Sequence, residues 1–143
     1  DAVLGLNVRA VYRIAQAAIP ALRRAGGGSI VNMSSQMGHV GSPGRTLYCM
    51  SKHAVEGLTK AMAVELAEEG IRVNSVAPTF VLTPLTEPLL ANPEFAEWVM
   101  GMIPAKKLAS PEDVANACVY LLSDLSASTT GTSLRVDGGW TAR

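Results

Sequence analysis

The chain has 143 residues, enough for one domain with a sizeable core, and a single domain is expected. It is 48% hydrophobic and 17% charged, and its twelve basic and twelve acidic side chains cancel, so it lacks the one-sided charge of a nucleic-acid or anionic-membrane binder. No apolar run reaches the roughly 20 residues of a membrane span and no basic-plus-apolar leader opens the chain, which predicts a soluble protein. Cys49 and Cys118 show neither metal-site nor disulfide spacing and read as free thiols of a reducing compartment; a cytoplasmic location without a metal is expected.

From Asp1 to Ala25, apolar positions recur at helical spacing, with Pro20 as a candidate bend and Gly26-Gly27-Gly28 as the stop. Ser29–Ser34 is short, apolar and β-branched, which predicts a buried parallel strand followed by a polar loop from Ser35 to Thr46. Leu47–Glu69 is the strongest helix, with Val55, Leu58, Met62 and Leu66 on one stripe and Gly70 as its stop. Arg72–Ala77 is a second buried strand, ended by Pro78.

Thr79–Ala109 carries four prolines (Pro84, Pro88, Pro93 and Pro104) among scattered apolar residues, and reads as an irregular insert of the kind that forms a lid. Trp98, Met100 and Met102 within it are candidates for a pocket wall. Ser110-Pro111-Glu112-Asp113 is a helix start, with a serine N-cap, proline at the first position and acids in the first turn. Val114–Leu122 continues that helix, and Thr132–Val136 is a last strand closed by Asp137-Gly138-Gly139. This alternation predicts an α/β fold with a parallel sheet and flanking helices, whose ligands bind beyond the carboxyl ends of the strands.

At that end lies Tyr48, with Lys52 four residues on. Residues four apart share one helix face about 6 Å apart along the axis, and a cation there favours phenolate, which makes the pair a tunable acid/base device. Ser35 stands thirteen positions before Tyr48, just past a strand end, and Asn7 lies in the first helix. Together Asn7, Ser35, Tyr48 and Lys52 resemble the catalytic tetrad of the short-chain dehydrogenase/reductase family, in its oxoacyl-reductase-like and sugar- or polyol-dehydrogenase branches. The words Gly28 to Ser35 with Gly38, Tyr48 to Lys52, Gly70 to Pro78 and Val136 to Gly139 match the family too.

The resemblance covers essentially the whole chain but only the carboxyl-terminal 55 to 60% of a family member of roughly 250 residues. It implies a Rossmann-like parallel sheet, present as the carboxyl-terminal half of a doubly wound domain, with residues 1–143 forming one catalytic unit and the amino-terminal dinucleotide-binding half missing. It implies NAD or NADP as cofactor and a small alcohol or ketone as substrate. By resemblance Tyr48 exchanges the proton, Lys52 lowers the Tyr48 pKa and holds the nicotinamide ribose, Ser35 holds the substrate oxygen, and Asn7 supports a water leading from Lys52. The cofactor positions are Tyr48, Lys52, Pro78, Thr79, Val81 and Thr83, with Thr79 standing where the family usually has Gly. A homodimer or homotetramer is a family-based expectation. The alternative is that the chain alone is a catalytically inactive fragment with an association role.

His39 and His53 lack a partner pattern and read as non-catalytic, and Cys49 reads as a small packing residue. Arg45 is read either as a surface or interface arginine or as a guanidinium that would suit an acidic substrate.

Overall fold

A computed structural model describes residues 2–142; Asp1, included in the first predicted helix, lies outside the described residues. The first helical stretch comprises α1 (Ala2–Leu4), a π-helical turn (Gly5–Ala10) and α2 (Val11–Arg24). The departure from α geometry falls at the π turn that carries Asn7, and α2 runs through Pro20 to Arg24. There follow β1 (Gly28–Met33), α3 (Thr46–Leu66), β2 (Ile71–Pro78), α4 (Glu87–Leu90), α5 (Pro93–Met102), α6 (Pro111–Leu122) and β3 (Ser133–Val136).

The three strands form one parallel sheet in the order β1-β2-β3, with Gly28 opposite Ile71 and Ser75 opposite Ser133. The central strand, β2, sorts its side chains by parity because successive residues point to opposite faces. Its odd face carries Ile71 and Val73 into a core with Ala15 of α2 and Met62, Ala63 and Leu66 of α3. Its even face carries Val76 against Ala117 and Leu121 of α6. Both faces of β2 are covered, and its polar Asn74 and Ser75 are buried along with its apolar residues.

Gly27 is required where the chain leaves α2. Its φ is 133°, and a Cβ there would lie 2.7 Å from the Gly70 carbonyl oxygen, so the approaches to β1 and β2 close only around a bare backbone.

The expectation of an irregular 79–109 insert is corrected: the segment contains α4 and α5. Pro88 and Pro93 sit in first-turn positions, where the missing N–H has no intrahelical partner to lose, and Asn92 Oδ1 caps α5 by accepting from Phe95 N at 3.1 Å. The helices pack through a third core in which Val99 and Ile103 meet Trp140. Phe80, Phe95, Trp98 and Trp140 form a closed ring of aromatic contacts with centroids 5.6 to 5.9 Å apart.

β3 ends at a buried carboxylate. Asp137 accepts from Gly139 N at 3.0 Å, Thr141 N at 2.9 Å and Thr141 Oγ1 at 2.6 Å. Burial alone would push this carboxyl up, but the bonds from Thr141 and Gly139 and the nearby Arg135 charge outweigh it and hold the carboxyl below its ordinary value. A depressed carboxyl stabilises the fold above its unfolded pKa of about 3.9 and loses that contribution as pH falls through the folded value. Asp137→Asn is therefore expected to cost about 1–3 kcal/mol at neutral pH and to flatten the acid limb of the stability curve. Denaturant titrations at about pH 7 and about pH 3 check this, and an equal acid loss in both proteins would contradict it. Among the described residues no helix is long and apolar enough to cross a membrane.

Candidate active site at the carboxyl end of the sheet

Ser35 lies two residues beyond the end of β1 and caps a short 3-10 turn, Gln36–Gly38. Its hydroxyl accepts from Met37 N at 3.2 Å and donates to Gln36 Oε1 at 2.9 Å. Gly38 lets this turn nest on α3: a Cβ there would lie 2.8 Å from Ser34 Oγ and 3.0 Å from the Lys52 carbonyl oxygen.

Tyr48 and Lys52 occupy one face of α3, with Lys52 Nζ 5.6 Å from the centroid of the Tyr48 ring. Nζ donates to the Met33 carbonyl at 3.0 Å, which ties α3 to the last residue of β1. Burial pulls the Lys52 ammonium below its ordinary pKa. The expected depression of the phenol by Lys52 does not appear. Burial pushes Tyr48 up from its usual value, while the adjacent Ser35 hydroxyl and the Arg45 charge pull it part of the way back. The Lys52 ammonium is drawn to a backbone carbonyl on the ring side of Tyr48, so the cation acting on the phenol is Arg45.

Ser35 and Tyr48 line one cavity of about 320 Å³ together with Gln36, Arg45, Thr79 and Phe80. Leu85 and Leu89, from the start of the insert, supply its apolar wall; Trp98, Met100 and Met102, proposed for that wall from the sequence, do not line it. Trp98 joins the aromatic ring, Met102 packs into the third core, and the Met100 carbonyl accepts from Lys106 Nζ at 3.2 Å.

Asn7 stands apart from the cavity. Its Nδ2 donates to Ser51 Oγ at 3.2 Å, and that hydroxyl donates to the Tyr48 carbonyl at 2.7 Å, so the π turn is joined to the backbone of α3 at the residue that carries the phenol.

Of the six expected cofactor positions, Tyr48 and Thr79 line the cavity, and Lys52 adjoins it at the Tyr48 ring. Thr79 Oγ1 is a buried hydroxyl without a hydrogen-bond partner, a group that a bound amide or sugar oxygen at this end of β2 would satisfy. The residues present thus fit the nicotinamide end of a dinucleotide. Thr79 adopts no left-handed backbone, and its N–H donates to the Val136 carbonyl at 3.2 Å, so threonine is accommodated where the family usually has glycine. Pro78, Val81 and Thr83 lie outside the cavity lining. Val81 bridges to Ala109, and Thr83 is bound to Thr86 through backbone and hydroxyl contacts at 3.0 and 3.1 Å.

The family model described as enoyl-(acyl carrier protein) reductase matches residues 1–141. The 3-oxoacyl-acyl-carrier-protein reductase FabG of Thermotoga maritima is 44% identical over 140 residues. The chain belongs to the short-chain dehydrogenase/reductase family.

The FabG match covers 97% of this family member and 56% of the relative, and carbonyl reductase (NADPH) 2 of Sus scrofa is 44% identical, with 99% and 59% covered. A gluconate 5-dehydrogenase of Burkholderia cenocepacia, in complex with NADP and tartrate, superposes with a TM-score of 0.94 at 31% identity, covering 98% of this chain and 55% of that one. The chain therefore spans little more than half the length of the relatives it matches, and its sheet corresponds to about half of their Rossmann-like domain.

Sequence patterns for this family member left the buried neighbours of the site unseen. Glu56, one turn beyond Lys52, is buried and accepts from Ser75 Oγ at 3.1 and 3.0 Å and from Ser133 Oγ at 3.0 Å. His39, which shows no partner pattern in the sequence, places Nε2 at 2.9 Å from Ser133 Oγ and 3.3 Å from Glu56 Oε1. That cluster joins α3, β2, β3 and the loop after Ser35, and only the parity of β2 and β3 could have pointed to it. His53 is exposed and meets the carbonyl of Cys49 in its own helix at 2.9 Å.

Proposed function

We propose that this chain is the catalytic half of a nicotinamide-dependent oxidoreductase that interconverts a secondary alcohol and a ketone. The observation that carries this reading is the convergence of the Ser35 hydroxyl and the Tyr48 phenol on one cavity at the carboxyl end of the sheet, with Lys52 against the Tyr48 ring. The Ser35 hydroxyl turns from Gln36 to orient the substrate oxygen as a neutral donor, and Tyr48 exchanges a proton with that oxygen. Lys52, held by the Met33 carbonyl, stays fixed beside the phenol and is positioned to meet the ribose of NAD or NADP. Thr79 offers its unpartnered hydroxyl to the carboxamide. The cofactor, when bound, supplies or accepts the hydride. Asn7 positions Tyr48 through Ser51.

The names of the carbonyl reductase (NADPH) and of the gluconate 5-dehydrogenase bound to NADP support this class of cofactor. The full-length protein is tested with NADH and NADPH against a panel of ketones, following the nicotinamide absorbance; no turnover with any of them would defeat the reading. For assembly we propose a homodimer or homotetramer, supported by Leu6 and Ile14, which stand 72% and 71% exposed along the first helix.

A second reading concerns residues 1–143 alone. They contain no glycine-rich strand-to-helix turn for a pyrophosphate and span 56% and 59% of the FabG and carbonyl reductase relatives. The isolated chain is expected to bind NADPH no tighter than about 1 mM, since the remaining contacts are few. Micromolar binding in a fluorescence titration would overturn this.

A further inference from the structure

We propose that the substrate of this cavity carries a carboxylate, and that Arg45 is the residue that selects it. The inference rests on the oxidoreductase reading above and names the substrate class for that same site.

Among the described residues that line the cavity, Arg45 is the one that carries a formal charge. The other polar lining groups are neutral hydroxyls and the Gln36 amide, so no acidic side chain there opposes the guanidinium. Arg45 is exposed, and among the described residues no salt bridge or side-chain hydrogen bond engages it. Two other arginines behave differently. Arg23 pairs with Glu69, and Arg72 donates to the carbonyls of Leu121, Ser123 and Thr129 and to the Ser126 hydroxyl. An unengaged planar fork facing a cavity matches the two oxygens of a carboxylate.

Two further features make the cavity favour anions. Arg45 immediately precedes α3, whose amino terminus has no side-chain cap, so the positive end of the helix dipole adds to the guanidinium charge. Arg45 and Tyr48 line the same cavity, and the Arg45 charge lowers the phenol pKa, so an anion held by Arg45 shares that cavity with the reacting oxygen. The cavity, at about 320 Å³, falls at the small end of ligand sites, where about 300–1,000 Å³ is usual. A short oxo or hydroxy acid meets these conditions, with its few carbons against Phe80, Leu85 and Leu89.

The test uses the full-length protein and measures kcat/KM for 3-oxobutanoate, 4-oxopentanoate and 5-oxohexanoate, for the methyl ester of each, and for cyclohexanone. Wild type, Arg45→Gln and Arg45→Lys are compared by the acid-to-ester ratio. Any effect that Arg45 exerts through Tyr48 cancels in that ratio, because the phenol serves both members of a pair. The wild type is expected to prefer the acid in at least one pair. The ratio for that pair should fall about 10- to 100-fold in Arg45→Gln, with partial recovery in Arg45→Lys. Added salt should lower the wild-type ratio. Preference for the ester throughout, or a ratio that Arg45→Gln leaves unchanged, overturns the carboxylate inference even where cyclohexanone turnover upholds the oxidoreductase reading. Failure of acids, esters and cyclohexanone alike defeats both.

Discussion

Tyr48→Phe in the full-length protein is expected to lower kcat for ketone reduction about 10²- to 10⁴-fold, the usual span of a general acid, while the Kd for NADPH changes less than about threefold. The substitution removes one hydroxyl and keeps the ring beside Lys52 Nζ, so the bond from Lys52 to the Met33 carbonyl and the packing of α3 survive. What disappears is the proton donor that faces the cavity alongside Ser35. Stopped-flow or steady-state nicotinamide absorbance gives kcat, and fluorescence titration gives the cofactor Kd. Near-normal kcat would remove Tyr48 from the chemistry.

The wild-type pH profile has a definite direction. Burial raises the phenol pKa, so Tyr48 keeps its proton through the neutral range; reduction should fall, and alcohol oxidation rise, as pH increases through that raised value.

Asn74→Ala is expected to lower the unfolding free energy by about 2–4 kcal/mol, at the upper end for a single polar truncation. Asn74 is fully buried on the α6 side of β2. Its Nδ2 donates to the Thr129 carbonyl at 2.8 Å and its Oδ1 accepts from Thr132 N at 3.1 Å, which fixes the loop that delivers β3 to the sheet. Arg72, two residues earlier on the same face, reaches the same Thr129 carbonyl at 3.3 Å. Asn74→Ala and Arg72→Met should therefore be non-additive in a double-mutant cycle. Equilibrium denaturation of the two single variants and the double variant measures both effects, and a loss under about 1 kcal/mol for Asn74→Ala would show that the loop is held elsewhere.

The strands were legible because short stretches with β-branched residues, Ile30-Val31 and Val73 to Val76, lie between glycines and a proline. Ser29–Ser34 and Arg72–Ala77 each fall within a residue of the observed β1 and β2. α3 was legible from its stripe, apart from its last turn, which tightens to a 3-10 turn at Ala67–Glu69. α4 and α5 were missed because proline was weighed as a breaker. Asn92-Pro93-Glu94 nonetheless has the same capping logic as Ser110-Pro111-Glu112, which was read correctly as a helix start.

At the site, the thirteen-residue spacing of Ser35 and Tyr48 anticipated their meeting at one cavity, since a strand end and a helix start determine it. The direction of the Tyr48 shift was not legible. It depends on burial, a property of the folded cavity that no local pattern around Tyr48 encodes.

The aromatic ring beyond β2 also makes the protein report on itself. Both tryptophans of the chain, Trp98 and Trp140, belong to that ring, with centroids 5.7 Å apart and planes at 79°. Indole emission from this chain therefore comes from the junction between α5 and the turn after β3, which shares Phe80 with the cavity. An optical signal from these residues is a local gauge of how the insert seats over the cavity, and is largely blind to the sheet that carries it.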